Sequence, residues 1–476
     1  MTTTVSTSAS WKVRVVEGSH MRPHQNNVFV IEFSASSQVE PVEVELARSE
    51  QYEILSPNPI MVERFDKGPR KGVFIIHPNT TGTIPLNFRM GEMIKTYYVS
   101  AHPENPYIFG EPIKDEHLFF GRVAELREIH RGVTKRNKQN FLITGPRRAG
   151  KTSLLFQLKT RLQYPFVSLM LTPEKMGHEH HQMFRSILLQ LGEEVRENQD
   201  EQPPPLSLDV KTAGRETPID LFNFHFERDL KKHLAWLSRM SDEARVILLL
   251  DEATFLLADP STAGNTSDTR QAFLRHLLQT YERVACVLAG TPQILRMTSI
   301  TSPLYNIFSG VKLRGFSREE TEALIREPAR QANIWFEDEA VSRIIEYGGC
   351  SPYYTQALCS LSLDHRYETV TAPLDPNEPV SVDLVHVNAA IRRILDTVDY
   401  GLQSLWGALE PDEREILREM VAGPVIVCQN NRDVLSRLVD MSLVDLVARD
   451  QTTPSQRTFA SIKARLDEEW LRLQGE

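Results

Sequence analysis

The sequence has little cysteine, no long apolar run and no excess of positive charge, and each shortage excludes a class of protein. Its 476 residues contain four cysteines, Cys286, Cys350, Cys359 and Cys428, with no C-x-x-C pair. Neither a disulfide framework nor a zinc module has that pattern; the thiols read as core residues of a chain in a reducing, cytoplasmic setting. No apolar run approaches the ~20 residues that span a bilayer. The first ten residues, rich in Thr and Ser, lack the basic start and apolar stretch of a signal peptide. With 54 basic against 63 acidic side chains the net charge is −9, so the chain as a whole is not built to coat nucleic acid, although a local basic patch is compatible with that total. Repeats of solenoid or propeller period are also missing. What is present is ordinary globular material: 41% hydrophobic and 25% charged residues exclude the disordered class. At roughly 150 residues per domain, the length suggests about three domains.

The front of the chain has a period of two. Trp11, Val13 and Val15 alternate with Lys12 and Arg14, Val42, Val44 and Leu46 with Glu43 and Glu45, and Ile84, Leu86, Phe88 and Met90 with polar or proline positions. Turn clusters at irregular short spacing separate these strands, which predicts about seven strands in an immunoglobulin-like β-sandwich over residues 11–103, after a flexible tail at 1–10. No His, Cys or carboxylate cluster falls there, so the segment reads as a partner-docking or orienting module without chemistry. Residues 104–116, with Pro106 and Pro112, read as a linker.

Strand and helix patterns then alternate: a helix near Val123–Thr134, strand Phe141–Thr144, a helix from Lys151, strand Phe166–Leu171, helices near 180–197 and 219–239, and strands Val246–Leu250 and Ala285–Ala289. That order predicts a parallel α/β sheet covered on both faces. The stretch Gln199–Pro218, with three successive prolines, reads as a mobile surface loop.

The strongest motif is Gly145-Pro146-Arg147-Arg148-Ala149-Gly150-Lys151-Thr152, which fits G-x-x-x-x-G-K-[ST] and sits between an apolar strand and a helix-forming segment. Gly145 and Gly150 permit a tight turn whose N–H groups face phosphates, helped by the positive end of the helix that Thr152 and Ser153 open. Lys151 would bridge the β- and γ-phosphates, and the Thr152 hydroxyl would sit on Mg2+. A second motif, Arg245–Glu252, is a buried strand ending in two acids. A neighbouring strand of this kind supplies Asp251 as the second metal-holding group and Glu252 to polarise an attacking water.

With these motifs in view, residues ~117 to ~365 resemble the STAND and AAA+ ATPases. Phe119-Phe120-Gly121-Arg122-Val123-Ala124-Glu125-Leu126 is similar to their F-x-G-R-x-x-E-L box, which in those families packs against adenine. Val287–Pro292 resembles the strand whose polar end residue, here Thr291, senses the γ-phosphate. Residues 303–317 resemble the passage into a helical lid, and Gly348–Gln356 resembles the G-x-P lid motif, with Pro352 at the place where many AAA+ proteins carry a sensor arginine. That departure favours a nucleotide switch over a cycling motor. The resemblance implies a core over 117–315, a lid over 316–384 and a winged helix over 385–476. No histidine near Asp440–Asp445 matches the one some relatives use to hold ADP, and the finger arginine stays open between Arg296 and Arg314.

The end of the chain, residues 405–474, reads as helix, helix, short hairpin, helix. The helix expected at Asp433–Asp440 carries Asp433 and Asp440 beside Arg432 and Arg437. It lacks the basic stripe that phosphate contact requires, so packing on the ATPase core is favoured over DNA reading. Two bland expectations complete the survey. His178, His180 and His181 have no ligand set around them at metal spacing, and the cluster Lys135–Lys138 reads as a solvated helix end.

These readings converge on an ATP- and Mg2+-binding, slowly hydrolysing switch, oligomeric in its ATP state, whose sandwich docks a protein partner. As STAND relatives commonly place sensor repeats after the winged helix, a sequence ending at Glu476 assigns sensing to the sandwich or to another polypeptide. The rival reading is an AAA+ regulator of transposition or replication type that assembles on DNA with ATP. A third, a non-hydrolysing scaffold, is disfavoured by intact Lys151, Asp251 and Glu252.

Overall fold

The computed structural model describes residues 11–17, 20–21, 27–35, 42–62, 70–79, 82–90, 93–101, 105–176, 179–199, 203–206, 217–257, 266–298, 300–369, 379–397, 406–407, 409–449 and 457–475. The tail expected at 1–10 lies outside them, as does most of the loop expected at Gln199–Pro218. The chain forms two compact bodies: Met1–Tyr107 with Ile325–Arg343 and Leu358–Arg393, and Ile108–Leu324 with Ile344–Ala357 and Ile394–Glu476.

Among the described residues the first body begins with nine strands: β1 (Trp11–Glu17), β2 (His20–Met21), β3 (Asn27–Ala35), β4 (Val42–Leu46), β5 (Tyr52–Ile54), β6 (Ile60–Val62), β7 (Arg70–Pro78), β8 (Gly82–Met90) and β9 (Met93–Ala101). They make two sheets, β1-β3-β7-β5 and β2-β9-β8-β4-β6, in which every pair is antiparallel except β2 with β9. Alternation places one face of each sheet inward: Phe29, Ile31, Phe74 and Ile76 from the first meet Val44, Leu46, Leu86 and Phe88 from the second in one core. Two strands more than expected arise because β2 and β6 are too short to show a period.

In the second body α1 (Val123–Thr134) buries Leu126, Ile129 and Val133, the i, i+3, i+7 stripe of an amphipathic helix. It is followed by β10 (Asn140–Thr144), α2 (Lys151–Arg161), β11 (Phe166–Leu171), α3 (Pro173–Met176), α4 (His180–Gln199), α5 (Ile219–Met240), β12 (Arg245–Leu250), α6 (Ala253–Leu257), α7 (Thr266–Thr280), β13 (Val284–Gly290) and β14 (Phe308–Lys312). The strands pair in parallel in the order β11-β12-β13-β10-β14. Two apolar clusters line the sheet; one includes Leu248, Leu250 and Leu288, the other Ile247, Leu249 and Val287. Residues adjacent along a strand face opposite sides, so both faces are covered as expected.

Three expectations need correction here. β14 is a fifth strand where a lid passage was expected; in Phe308-Ser-Gly-Val-Lys312 only Val311 is buried, as suits an edge strand without an apolar period. The strand carrying the acids, β12, is not next to the phosphate-loop strand β10, because β13 lies between them. Lys138 is not a solvated helix-end charge. Its ammonium donates to the carbonyls of Leu278 and Tyr281, each at 2.8 Å, and to that of Val284, holding the end of α7 where unpaired carbonyls need donors. Burial, foremost, and the nearby Arg245 lower its pKa to about 8.

The remaining elements are α8 (Arg318–Gln331), β15 (Ile334–Phe336), α9 (Asp338–Gly348), α10 (Pro352–Glu368), β16 (Val380–Val382), α11 (Leu384–Thr397), α12 (Pro411–Ala422), β17 (Val425–Ile426), α13 (Arg432–Asp440), β18 (Val444–Arg449), β19 (Arg457–Ile462) and α14 (Arg465–Gly475). The lid expected over 316–384 is divided between the two bodies, and α11 belongs through Arg393 to the first. β15 and β16 pair in parallel. At the chain end the expected order of helix, helix, hairpin and helix is present, with β17 as a third strand beside β19; the hairpin tip at 450–456 lies outside the described residues. Of the cysteines, Cys286 and Cys359 are buried as expected, whereas Cys350 is half-buried and Cys428 exposed. Among the described residues no helix is long and apolar enough to cross a membrane.

Candidate functional site

The site forms where β10 ends. Thr144 leads into the loop 145–150, in which Arg148 and Gly150 adopt left-handed backbone conformations, φ 65° and 86°. Gly150 caps α2 without a side-chain hydrogen bond, so the first N–H groups of the helix face the opening with their partial positive charge. Lys151 is buried, and its ammonium donates to the carbonyls of Gly145 at 3.0 Å and Pro146 at 2.7 Å. Burial lowers its pKa, and the carboxylates of Glu252 and Asp251 oppose that shift.

Although a strand intervenes, the two motifs meet. Thr152 Oγ1 donates to Asp251 Oδ2 at 2.7 Å, and the Glu252 backbone N–H donates to Asp251 Oδ1 at 3.0 Å. Glu252 has φ 46°, a left-handed turn directly after the strand end. Asp251 thus faces Thr152, while Glu252 lines a cavity of about 390 Å³ together with Arg147, Arg148, Ala149, Gly150, Lys151, Thr152 and Ser153. A hydroxyl and a carboxylate in contact are hard oxygen donors of the kind Mg2+ takes, so the pair fits that ion.

The other end of the cavity is apolar, with Ile108, Phe119, Phe120, Phe316, Leu324 and Pro352 in its wall. Gly121 has φ 67°, and a Cβ there would lie 2.9 Å from the Phe316 ring, so the close approach of that ring requires glycine. Arg122, also left-handed and buried, pairs with Glu125 at 3.2 Å, donates to the carbonyls of Ala149 and Arg314, and lies over the Phe316 ring with its Cζ 4.8 Å from the centroid. It ties the phosphate loop to the start of the lid. The supposed linker is part of the wall: residues 108–113 line the cavity, the Ile113 N–H donates to Ser153 Oγ at 3.0 Å and Gln157 donates to the Lys114 carbonyl at 3.0 Å.

Thr291 is placed differently. It follows β13, between β10 and β12, but its hydroxyl donates to Gln293 at 2.5 Å, and it is not among the residues that line the cavity. Arg314 lines a second cavity, described below, and the side chain of Arg296 lies outside the described residues. His180 and His181 have structural partners, Asn223 Oδ1 at 2.8 Å and the Thr217 carbonyl at 2.9 Å; His178 lies outside the described residues.

Sequence reasoning missed a second cavity, of about 340 Å³, that shares Arg147, Arg148, Ala149, Pro352 and Tyr353 with the first. Its other residues include Arg314, Gly349, Tyr354, Met441, Ser442, Leu443, Ala464 and Asp467. Gly349 has φ 56°, and a Cβ there would stand 2.8 Å from the Ala464 backbone. Tyr354 donates its hydroxyl to Asp467 at 2.8 Å, and Tyr347 to Glu469 at 2.8 Å. Burial pushes the Asp467 carboxyl up to about 6, against the Tyr354 hydrogen bond. Asp440 pairs with Lys312 at 3.0 Å, and Arg437 with Glu413 at 2.6 Å and Asp412 at 2.7 Å, so two charges of the supposed reading helix have partners inside the body. No motif announces these contacts; the repeated Tyr and Gly beside Pro352 were the available signal.

The fold is similar to that of a solved Walker-type ATPase, and weaker matches accompany it. The Walker-type ATPase PABY2304 of Pyrococcus abyssi is 16% identical over 76% of this chain and 99% of that one, with a TM-score of 0.52. The Orc1 protein of Aeropyrum pernix, solved in complex with DNA, is 14% identical over 75% and 93%, TM-score 0.41. The RuvB Holliday junction branch migration motor of Thermotoga maritima is 15% identical over 76% and 97%, TM-score 0.39. No curated protein is similar in sequence. The family Novel STAND NTPase 1 matches residues 109–466, the span that holds the phosphate loop, the acidic pair and all of the cavity lining except Ile108 and Asp467, and the chain belongs to that family of STAND/AAA+-type P-loop ATPases.

Proposed function

We propose that the protein binds ATP with Mg2+ in the first cavity, hydrolyses it slowly, and uses the difference between the ATP and ADP states as a conformational switch. The observation that carries this reading is the contact between Thr152 and Asp251, two motifs 99 positions apart, beside Lys151 and Glu252. The loop N–H groups receive the phosphates, and Lys151, exchanging the carbonyls of Gly145 and Pro146 for phosphate oxygens, neutralises the β- and γ-phosphates. Thr152 and Asp251 would hold Mg2+, which supplies charge neutralisation on the transferred phosphoryl group. Glu252 orients a water in line with the γ-phosphorus and accepts its proton. Phe120, Gly121, Arg122 and Pro352 shape the base end. Thr291 becomes a γ-phosphate sensor only if its hydroxyl leaves Gln293.

The C-terminal segment, three helices with a three-stranded sheet, is consistent with a winged helix that packs on the ATPase core, as the pairs Tyr354–Asp467 and Lys312–Asp440 support. Release of these contacts in the ATP state would free surfaces for oligomerisation, and the immunoglobulin-like sandwich would dock a protein partner. Equilibrium binding of ATP and ADP with Mg2+ tests the reading: wild type binds both, and Lys151→Ala weakens ATP about 100-fold. Mass measurement in solution with each nucleotide tests the switch. An assembly state unchanged by nucleotide removes the oligomeric part of the proposal, and ATPase activity stimulated by duplex DNA and suppressed by moderate salt transfers the function to the DNA-dependent reading.

A further inference from the structure

The wall of the first cavity carries, besides Lys151, an arginine held on an aromatic ring. Two residues of the phosphate loop have left-handed backbones, Arg148 at φ 65° and Gly150 at 86°. Glycine takes that conformation freely, whereas a residue with a Cβ is strained there. Arginine at such a position works against its backbone preference, and strain of this kind clusters at functional sites. The Arg148 guanidinium lies over the Tyr353 ring, with its Cζ 4.0 Å from the centroid. Tyr353 follows Pro352 at the start of α10, and the Phe109 ring meets it nearly edge-on, with centroids 6.2 Å apart, so the ring under the guanidinium is itself braced. Arg148 and Tyr353 both line the cavity, together with Lys151 and Thr152.

The donors of Arg148 are uncommitted. In the same wall Arg122 already donates to Glu125 and to two carbonyls, and Lys151 to the carbonyls of Gly145 and Pro146. Among the described residues no carboxylate or carbonyl pairs with the Arg148 side chain, which is exposed. A ring occupies the face of a guanidinium, while its five N–H groups lie in the plane and point outward from the edge. The contact with Tyr353 therefore limits where the group can go and leaves its fork of donors for an anion, a geometry that suits phosphate oxygens. We infer that the Arg148 guanidinium binds the phosphate chain of the nucleotide, with Tyr353 as the positioning residue that holds it there. This rests on the reading of the cavity as a nucleotide site, and it adds to the loop N–H groups and Lys151 a second cation, supported from α10.

The test is a double-mutant cycle on the affinity for ATP with Mg2+, measured by equilibrium binding to the full chain, with Arg148→Asn, Tyr353→Leu and both together. Asparagine tolerates the left-handed backbone and removes the cation; leucine keeps apolar bulk and removes the ring. Arg148→Asn is expected to weaken ATP binding about tenfold and Tyr353→Leu about threefold, with the double variant no weaker than Arg148→Asn alone. Tyr353→Phe, which keeps the ring, is expected to bind within about twofold of wild type. An Arg148→Asn affinity equal to that of wild type overturns the phosphate contact. An equal loss from Tyr353→Leu with and without Arg148→Asn overturns the positioning role, since a tyrosine that only packs in the wall acts independently of Arg148. Cooperative thermal unfolding shows that each variant is folded; should one fail, Arg148→Gly or Tyr353→Met takes its place in the same cycle. Failure of wild type to bind ATP removes the underlying reading of the site and the inference with it, whereas wild-type binding that Arg148→Asn leaves intact removes the inference alone.

Discussion

The two cavities that share Arg147, Arg148, Ala149, Pro352 and Tyr353 are similar in size and opposite in construction. The first is lined by the phosphate loop, Lys151, Thr152 and Glu252, and by apolar side chains such as Phe119, Phe316 and Leu324. The second is closed by groups that already satisfy one another: Tyr354 with Asp467, and Gly349 against the backbone of Ala464. The same loop therefore borders both cavities, and under the proposed function occupancy of the first would be read by the second. Phosphates that drew Arg148 toward them would also act on Tyr353, over whose ring its guanidinium lies at 4.0 Å, next to the tyrosine that donates to Asp467.

Four substitutions separate the two cavities experimentally. The largest effect belongs to Glu252→Gln, which should lower ATP turnover by about 10²–10⁴-fold while leaving ATP affinity within about threefold, read by phosphate release and equilibrium binding. Lys151→Ala should follow, with its loss of nucleotide binding and a thermal melting profile close to wild type without ligand. On the held side, Gly349→Val places a branched side chain at φ 56° and against the Ala464 backbone. It should destabilise the closed packing by about 2 kcal/mol or more, seen as faster hydrogen exchange in residues 457–475, with phosphate-loop mutants showing no such change without ligand.

The smallest effect is a pH dependence. The Asp467 carboxyl titrates near 6 when buried and near its ordinary value when exposed, so the proton is bound more tightly in the closed packing. The stabilisation is complete below about pH 4 and is lost as pH rises through about 6. Its hydrogen-bond donor is Tyr354 from α10, and the cavity that it lines also holds Tyr353 from α10, Arg147 and Arg148 from the loop and Arg314 after β14. Asp467→Asn, which keeps an acceptor for Tyr354, should flatten that dependence and raise stability above pH 6 on the order of 2 kcal/mol, read from denaturant unfolding at pH 4.5 and 7.5.

The first cavity was largely legible in the sequence and the second was not, for a physical reason. Phosphate binding needs particular residue types at fixed spacing on one turn, so Gly145–Thr152 announces itself, and the acids of β12 follow a run of buried apolar residues that only a central strand tolerates. The apolar wall is less legible, since Ile108 lies more than 200 positions before Phe316 and Leu324 and any hydrophobic residue of suitable size would serve. The second cavity depends on pairs such as Lys312–Asp440 and Tyr354–Asp467, in which neither partner is unusual alone. Lys138 illustrates the same limit: its place in a basic cluster suggested solvent, and only the fold brings three carbonyls to it. The fifth strand β14 went unread because its exposed Ser309 and Gly310 leave no alternation.

In the proposed mechanism Glu252 activates water on a nucleotide held by Lys151, Thr152 and Asp251. Its most direct test is a single-turnover measurement in which wild type and Glu252→Gln are loaded with ATP and Mg2+, and the bound nucleotide is identified over time. Wild type is expected to convert its bound ATP to ADP while Glu252→Gln retains ATP intact on the same time scale. Conversion at the wild-type rate in Glu252→Gln would contradict it.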